Sequence, residues 1–379
     1  MIPVRNDFRV FAIEDTSIQL TWGTTGVGEL QLWFDGRHQS VPLRGGPGCV
    51  DIDDLRPGQE VRIRYEATAI ETTRGELVCR TLEPPPGDEL DRFATLTDVH
   101  VARRTFGVHR QFWDPPGGPP HTVTCSHAAV DELVRWGARH LFVKGDLIET
   151  STPYHWAAAE RLLANLVDRD GGELGVDATP GNHEVNRHGT IDPFIAAERA
   201  GIRLHRDQHV VDRPGVRVVI MNSSVPGLHR GEWMRHAPEV ADAVRGRPSL
   251  VITHHQPHGW PVQTYFPPGI EWSEARTFAR QIMAANRAVM GTSGHTHRHR
   301  RHDICGMPWT ETGSPKDYPG TWTGYVVYEG GIRQIVRRVT EPSSVAWLDR
   351  SGGAVNGLWG RWSPGRLRDR CFTWRWPSR

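Results

Sequence analysis

The chain has 379 residues, 37% of them hydrophobic and 23% charged, with a formal net charge of +1. That length fits two domains, or one large domain with additions, and the composition supports a sizeable apolar core. A balance so near neutrality excludes a protein that binds nucleic acid or membrane by overall charge, and no run approaches the 18 or so apolar residues that a spanning helix needs.

From about Phe8 to Leu82 the pattern is all-β. Ile18, Leu20 and Trp22 alternate with polar neighbours, as do Leu30, Leu32 and Phe34, and Val61, Ile63 and Tyr65; period-2 alternation marks half-buried strands. Gly26, Gly36, Gly45-Gly46 and Pro57-Gly58 punctuate them, which predicts about seven short strands in a small β-sandwich. The corner Leu55-Arg56-Pro57-Gly58 resembles that of fibronectin type III modules. Pro84-Pro85-Pro86-Gly87 then reads as a stiff linker, so residues 1–86 are expected to form the sandwich domain.

From Phe93 short apolar strands alternate with helical spacing. Strands are predicted at Phe93–Thr97, His140–Val143, Leu174–Thr179, Val216–Met221, Leu250–Thr253 and Ala288–Thr292. Helices are predicted around Val130, Leu133, Val134 and Gly137, and around Leu162, Leu163, Leu166 and Val167. This is α/β architecture, assigned to residues 87–340, with 341–379 as a Trp/Arg-rich extension packed on the core. Five of the six strands run into a residue that can ligate a metal: Asp98, Asp146, Asn182, His254 and His295. Sites in α/β sheets form at the carboxyl ends of strands, so these dispersed positions can converge.

The segments, in order, are Asp98-Val99-His100, Gly145-Asp146, Gly181-Asn182-His183-Glu184, His254-His255 and Gly294-His295-Thr296-His297. Singly, each has a bland reading: a solvated strand end, a helix cap or a turn residue. In this order the chain resembles the calcineurin-like metallophosphoesterase superfamily over roughly residues 93 to 300. The resemblance implies a β-sandwich flanked by helices and a hydrolase of phosphodiesters or phosphomonoesters with a dinuclear metal centre. Two cations about 3.5–4 Å apart would neutralise the ester's charge and lower the pKa of a bound water, and mixed imidazole and carboxylate donors suit Mn, Fe or Zn better than Ca. By the family's motif, Asp98, His100 and His297 would hold the first ion, Asn182, His254 and His295 the second, and Asp146 would bridge. Extended alternation would put Asp98 and His100, and likewise His295 and His297, on one face. In the family's pattern His183 is no ligand: it contacts the phosphate and protonates the leaving oxygen, with Glu184 or another carboxylate to orient it. Of the pair His254-His255, the pattern makes the first the ligand. His299 and His302 fall outside the motif and are expected at the surface or as weak neighbours.

An all-β segment ahead of such a domain is similar to the layout of purple acid phosphatases, but Glu149 stands where those enzymes place a tyrosine ligand. Other chemistries lack their motifs. His183-Glu184 and His188 are spaced wrongly for a zinc-protease helix, and no phosphate-binding Gly-Lys-Ser/Thr loop or Gly-x-Ser-x-Gly elbow is present. The substrate is expected to be a phosphate ester such as a nucleotide or small phosphodiester. Loops Phe106–His121 (with His109, Arg110 and Trp113) and His255–Trp272 (with His258, Trp260, Tyr265 and Phe266) could stack a base, but packing of the loops is the favoured reading. From Arg333 on there are ten Arg against three acids, with five Trp. That leaves nucleic acid open as a partner, although strands packed across both domains are favoured. A metal-binding scaffold, with the β-sandwich recruiting a partner, is the alternative to an enzyme. Five separated cysteines without a CxxC and no apolar leader segment point to a reduced, cytoplasmic protein. Lys144 and Lys316 are the only lysines beside 43 arginines, which reads as the codon bias of a GC-rich, bacterial genome.

Overall fold

The computed structural model describes residues 8–69, 72–107, 110–166, 174–262 and 266–377; Val167, His109 and Tyr265, named above, lie outside them. The N-terminal part has five strands, β1 (Arg9–Ile13), β2 (Ile18–Phe34), β3 (Arg37–Ile52), β4 (Glu60–Thr68) and β5 (Thr72–Arg80). The count falls below seven because β2 and β3 run for 17 and 16 residues, straight through the glycines that looked like breaks. Their register shifts between Trp22 and Thr25, opposite Gly46–Gly48, beside Gly45 and Gly46 at φ +81°. This is a bulge that bends the ladder without ending it. β2 carries β3 on one edge and β1 then β4 on the other, so one continuous antiparallel sheet folds over Phe11, Ile18, Leu20, Leu32 and Ile63.

Beyond it come β6 (Glu89–Leu96), a ribbon of β7 (Thr105–Phe106) and β8 (Phe112–Trp113), α1 (His121–Arg135), β9 (His140–Lys144), α2 (Pro153–Leu163), β10 (Gly175–Thr179), α3 (Pro193–Arg199) and β11 (Arg203–Leu204). A second series follows: β12 (Gln208–Arg213), β13 (Val216–Met221), α4 (Ala237–Ala243), β14 (Ser249–Ile252), α5 (Trp272–Ala285) and β15 (Val289–Ser293). The chain ends with β16 (Arg300–Ile304), β17 (Met307–Glu311), β18 (Thr321–Tyr328), β19 (Gly331–Arg338), α6 (Pro342–Ser351), α7 (Leu358–Trp362), α8 (Leu367–Arg370) and β20 (Phe372–Arg375).

Two sheets result, ordered β11-β10-β9-β6-β18-β19-β20 and β12-β13-β14-β15-β17-β16. Alternation along each strand assigns side chains to layers. Val218 and Ile220 of β13 face the inter-sheet core with Phe93, Phe142, Leu250 and Tyr325, while Val219 and Met221 face α4 and α5. The outer face of the first sheet is covered by α1, α2 and α6 through Leu133, Leu162 and Leu348. The fold is therefore a β-sandwich between helical layers, with a smaller antiparallel sheet ahead of it, as expected. Strands buried on both faces explain the near-continuous apolar runs. Much of the C-terminal segment is structural: β20 edges the first sheet, Trp374 and Trp376 pack at the inter-sheet core, and Arg350 lies 4.6 Å over Trp347.

Candidate metal centre

β6, β9 and β10 are mutually parallel in one sheet, as are β13, β14 and β15 in the other. Their carboxyl ends form one rim, and it gathers all seven predicted ligands. Backbone hydrogen bonds from Asp98 N to Gly145 O (3.1 Å) and from His100 N to Asp146 O (2.9 Å) zip the first two loops together. The extended Asp-x-His geometry is not found. Asp98, His100, Asp146, His295 and His297 all have φ between 44° and 69°. Side chains with a Cβ seldom adopt that left-handed region, and such strain gathers at functional sites. Left-handed turns, not strand alternation, therefore aim each pair inward. The glycines serve close approach: a Cβ on Gly181 would collide with Asp146 Oδ1, and one on Gly294 with Thr97 Oγ1.

Donor atoms of Asp98, His100 and His297 lie within 4.8 Å of one another, as do those of Asp98, Asp146 and His254. Asp146 Oδ2 stands between the two sides, 3.6 Å from His100 Nε2 and 3.3 Å from His254 Nε2. On the second side, His254 Nε2 is 3.2 Å from Asn182 Oδ1 and 3.0 Å from His295 Nδ1. His255 is also buried and packs 4.5 Å from His295, but its Nδ1 is 2.9 Å from Ser223 Oγ. His254 is the member of the pair that faces Asp146 and Asn182.

The opposite ring nitrogens are anchored. His100 Nδ1 meets Glu149 Oε2 (2.9 Å), His297 Nδ1 meets Asp317 Oδ2 (2.7 Å) and His254 Nδ1 donates to Lys144 O (2.8 Å). Such partners fix which nitrogen points at an ion. Glu149, at the position of the family branch's tyrosine, thus holds His100 and accepts from Arg103 (3.1 Å). Glu184 does not orient His183. It accepts the backbone N–H groups of Asp146, Ile148 and Gly181 at 2.7–3.0 Å, tying two loops together. His183 instead donates from Nδ1 to Glu149 O (2.8 Å), and its backbone N–H donates to Asp146 Oδ1 (2.9 Å).

Burial alone would raise the Asp98 and Asp146 carboxyls, but the imidazoles of His297 and His254 hold them well below the usual range. Burial pushes His100 and His295 down to about 3, while Asp146 and Asp98 outweigh burial at His254 and lift it to about 9. Burial and the nearby Asp146 charge raise Glu184 to about 7. Ionised carboxylates and neutral imidazoles such as His100 and His295 are the forms in which these side chains ligate metals; His254 and His297, which the neighbouring carboxylates raise, would give up a proton to do so.

The rim opens into a cavity of about 870 Å³ lined by Arg103, Phe106, His183, His229 and Phe266, and by Trp359 and Trp362 from the C-terminal segment. Those two tryptophans and Asp317 carried no motif in the sequence. His299 is not at the surface: it is fully buried, with Nδ1 accepting from Gly313 N (3.2 Å) and Nε2 beside Thr321 Oγ1 (3.2 Å). A further Asp177-His205-His209 group has ligand-like spacing, but Arg203 already holds the Asp177 carboxylate at 3.0 and 2.8 Å, which makes it an ion pair.

Solved structures of similar fold include PhoD (10% identity, 88% of this chain and 87% of that chain, TM-score 0.44). Another is a dimetal phosphatase from Danio rerio (14% identity, 67% and 98%, TM-score 0.45). A third is the phosphopantetheinyl hydrolase from Mycobacterium tuberculosis (13% identity, 60% and 91%, TM-score 0.35). No curated protein matches the sequence. Residues 91–299 match the family described as calcineurin-like phosphoesterase, more than half of the chain and the span that supplies every ligand-type residue of the rim, so the chain belongs to the calcineurin-like phosphoesterase family.

Proposed function

We propose that the protein hydrolyses phosphate esters, phosphodiesters or phosphomonoesters, with two metal ions held side by side. The observation that carries this reading is the placement of Asp146 Oδ2 between two ligand sets, His100 on one side and His254 on the other. The residues fit such ions. Two donors on one ion at about 2.0–2.1 Å stand about 3–3.5 Å apart, the spacing of His254 Nε2 from His295 Nδ1 and from Asn182 Oδ1. Asp98 Oδ1 is buried and makes no well-aligned hydrogen bond among the described residues, with His297 Nε2 facing it at 3.2 Å, an arrangement that an ion between the two would satisfy. Asp98, His100 and His297 would hold one ion, Asn182, His254 and His295 the other, and Asp146 both; the nitrogen and oxygen donors suit Mn, Fe or Zn.

When bound, such a pair neutralises the phosphate's charge and lowers the pKa of a water. The protein's own groups do the rest. Asp317, Glu149 and the Lys144 carbonyl keep the ligand rings in place. His183, with Nδ1 committed to the Glu149 carbonyl, keeps Nε2 to protonate the leaving oxygen. Purified protein with added Mn should hydrolyse p-nitrophenyl phosphate or its bis-ester, contain two ions per chain by elemental analysis, and lose activity to a chelator. Hydrolysis of neither ester by fully loaded protein would turn the reading to a metal-binding scaffold.

A further inference from the structure

We propose that the substrate is single-stranded nucleic acid, led to the metal site along a basic, tryptophan-bearing groove; this rests on the phosphoesterase reading above. A second depression of about 660 Å³ adjoins the metal-site cavity, and Arg300 and Trp362 line both. Its walls carry Arg301 from β16, Arg361 from α7, and Arg366 and Arg368 from the start of α8, against the single acid Asp369. On a chain with a net charge of +1, this is a local concentration of positive charge. Arg361, Arg366 and Arg368 are exposed and form no ion pair with a carboxylate among the described residues. Some arginines elsewhere are matched, as Arg213 is with Asp91 and Arg217 with Asp212.

Two indoles complete the groove. Trp362, at the junction with the metal site, is 53% exposed, and Trp260, from the loop after β14, is 70% exposed. Cations that can follow a phosphate backbone, interleaved with exposed rings on which bases stack, are the features that recognise single strands. A mononucleotide would occupy the metal-site cavity and leave the row of arginines unmatched. A duplex would satisfy the arginines but keeps its bases stacked inside, out of reach of the indoles. Cleavage adds one water across a P–O bond of the strand: the water oxygen joins phosphorus as the P–O bond to the departing oxygen breaks, that oxygen takes a proton from His183, and the proton shed by the water returns to His183 through solvent.

The test compares cleavage of end-labelled oligothymidylate and oligouridylate, and of the oligothymidylate–oligoadenylate duplex, with hydrolysis of bis-p-nitrophenyl phosphate, all by the Mn-loaded full chain over a range of salt. The expected result is a kcat/KM for one or both single strands, DNA or RNA, that exceeds the duplex value and falls steeply with salt. In R361E/R366E/R368E it should drop at least about tenfold, and the log–log salt slope should flatten by about 2, at about 0.7 per lost phosphate contact. The small diester, followed in the same preparations, reports whether the metal site is folded, and Arg→Gln at the same three positions decides if the reversed charges unfold it. Single strands cleaved no better than duplex, or an unaltered salt slope in a folded variant, would overturn the proposal while the phosphoesterase reading stands. Loss of all ester hydrolysis in the wild type would instead overturn that reading, and the anisotropy of a labelled oligonucleotide would still decide the groove.

Discussion

His183 is the residue whose removal separates metal binding from chemistry. It shares no ion with the seven ligands in the proposed scheme, yet it lines the cavity and its Nδ1 is fixed by Glu149. His183→Ala is therefore expected to keep its metal by elemental analysis and to lose about 10²–10⁴-fold in turnover, the usual contribution of a positioned acid. Normal turnover would refute the role. Asp146→Asn should lose metal, and full occupancy would count against the bridge. Asp317→Asn tests the layer behind: with the His297 ring no longer anchored, metal affinity in a chelator competition should fall about 10–100-fold. These residues were not equally legible. The seven ligand candidates each follow a strand or close a short motif, so order and spacing exposed them. Asp317 bonds His297 across 20 residues with no motif of its own, and the contact exists only after β16 and β17 have turned the chain back. His299 was misread because a histidine tract looks solvated. In the structure Gly313 and Thr321 satisfy both ring nitrogens, and that is what lets the ring be buried.

At the scale of elements, the edge formed by β10 and β11 shows how a short strand is held. β11 has only two residues, paired to β10 at Asp177 and Ala178, too little ladder to persist alone. Side chains supply the rest. Asp177 accepts from His140 (2.8 Å), His205 (2.7 Å) and Arg203 (3.0 and 2.8 Å). Burial would raise its carboxyl, but these hydrogen bonds hold it well below the usual carboxylate range. A group whose folded pKa lies below its unfolded value of about 3.9 stabilises the fold above that value, and the contribution is lost as pH falls toward the folded one. Asp177→Asn should therefore lower the urea midpoint near neutral pH, and its gap from wild type should narrow below about pH 4. A gap that stays constant into acid would contradict the ion-pair account. Most of the six strands leading to the rim were legible because they are buried on both faces and read as apolar runs, although β10, Gly-Val-Asp-Ala-Thr, is not such a run. The N-terminal strands were only half legible: alternation located them, but a bulge and a break have the same glycine signature, and only the pairing of β2 with β3 tells them apart.

For the molecule as a whole, the question is whether the N-terminal sheet folds as a separate unit or as part of the catalytic body. Its core includes Val336 of β19 and Cys371 beside β20, so the apolar interior is shared. Polar contacts close the same junction. Gln19 spans both backbone groups of Arg338, donating to its carbonyl at 3.1 Å and accepting its N–H at 2.8 Å. Arg370 donates to the Phe11 carbonyl at 3.0 and 2.9 Å, and Arg337 lies between Glu14 and Asp51, at 2.6 Å from each. Removing one partner of a buried ion pair leaves the other charged and unsolvated, at a cost of about 3–5 kcal/mol. Arg337→Ala is accordingly expected to lower global stability by about 3 kcal/mol, the lower end of that range because Asp51 keeps 36% of its side chain exposed. If sheet and sandwich are one cooperative unit, wild-type unfolding followed by near-ultraviolet circular dichroism and by tryptophan fluorescence should give one coincident transition. A fragment starting at Gly87 should unfold at lower denaturant than the full chain, because Val336, Cys371 and the arginines of β19 would face water. A fragment as stable as the whole, or an Arg337→Ala protein melting with the wild type, would show that the junction is mere contact between independent domains.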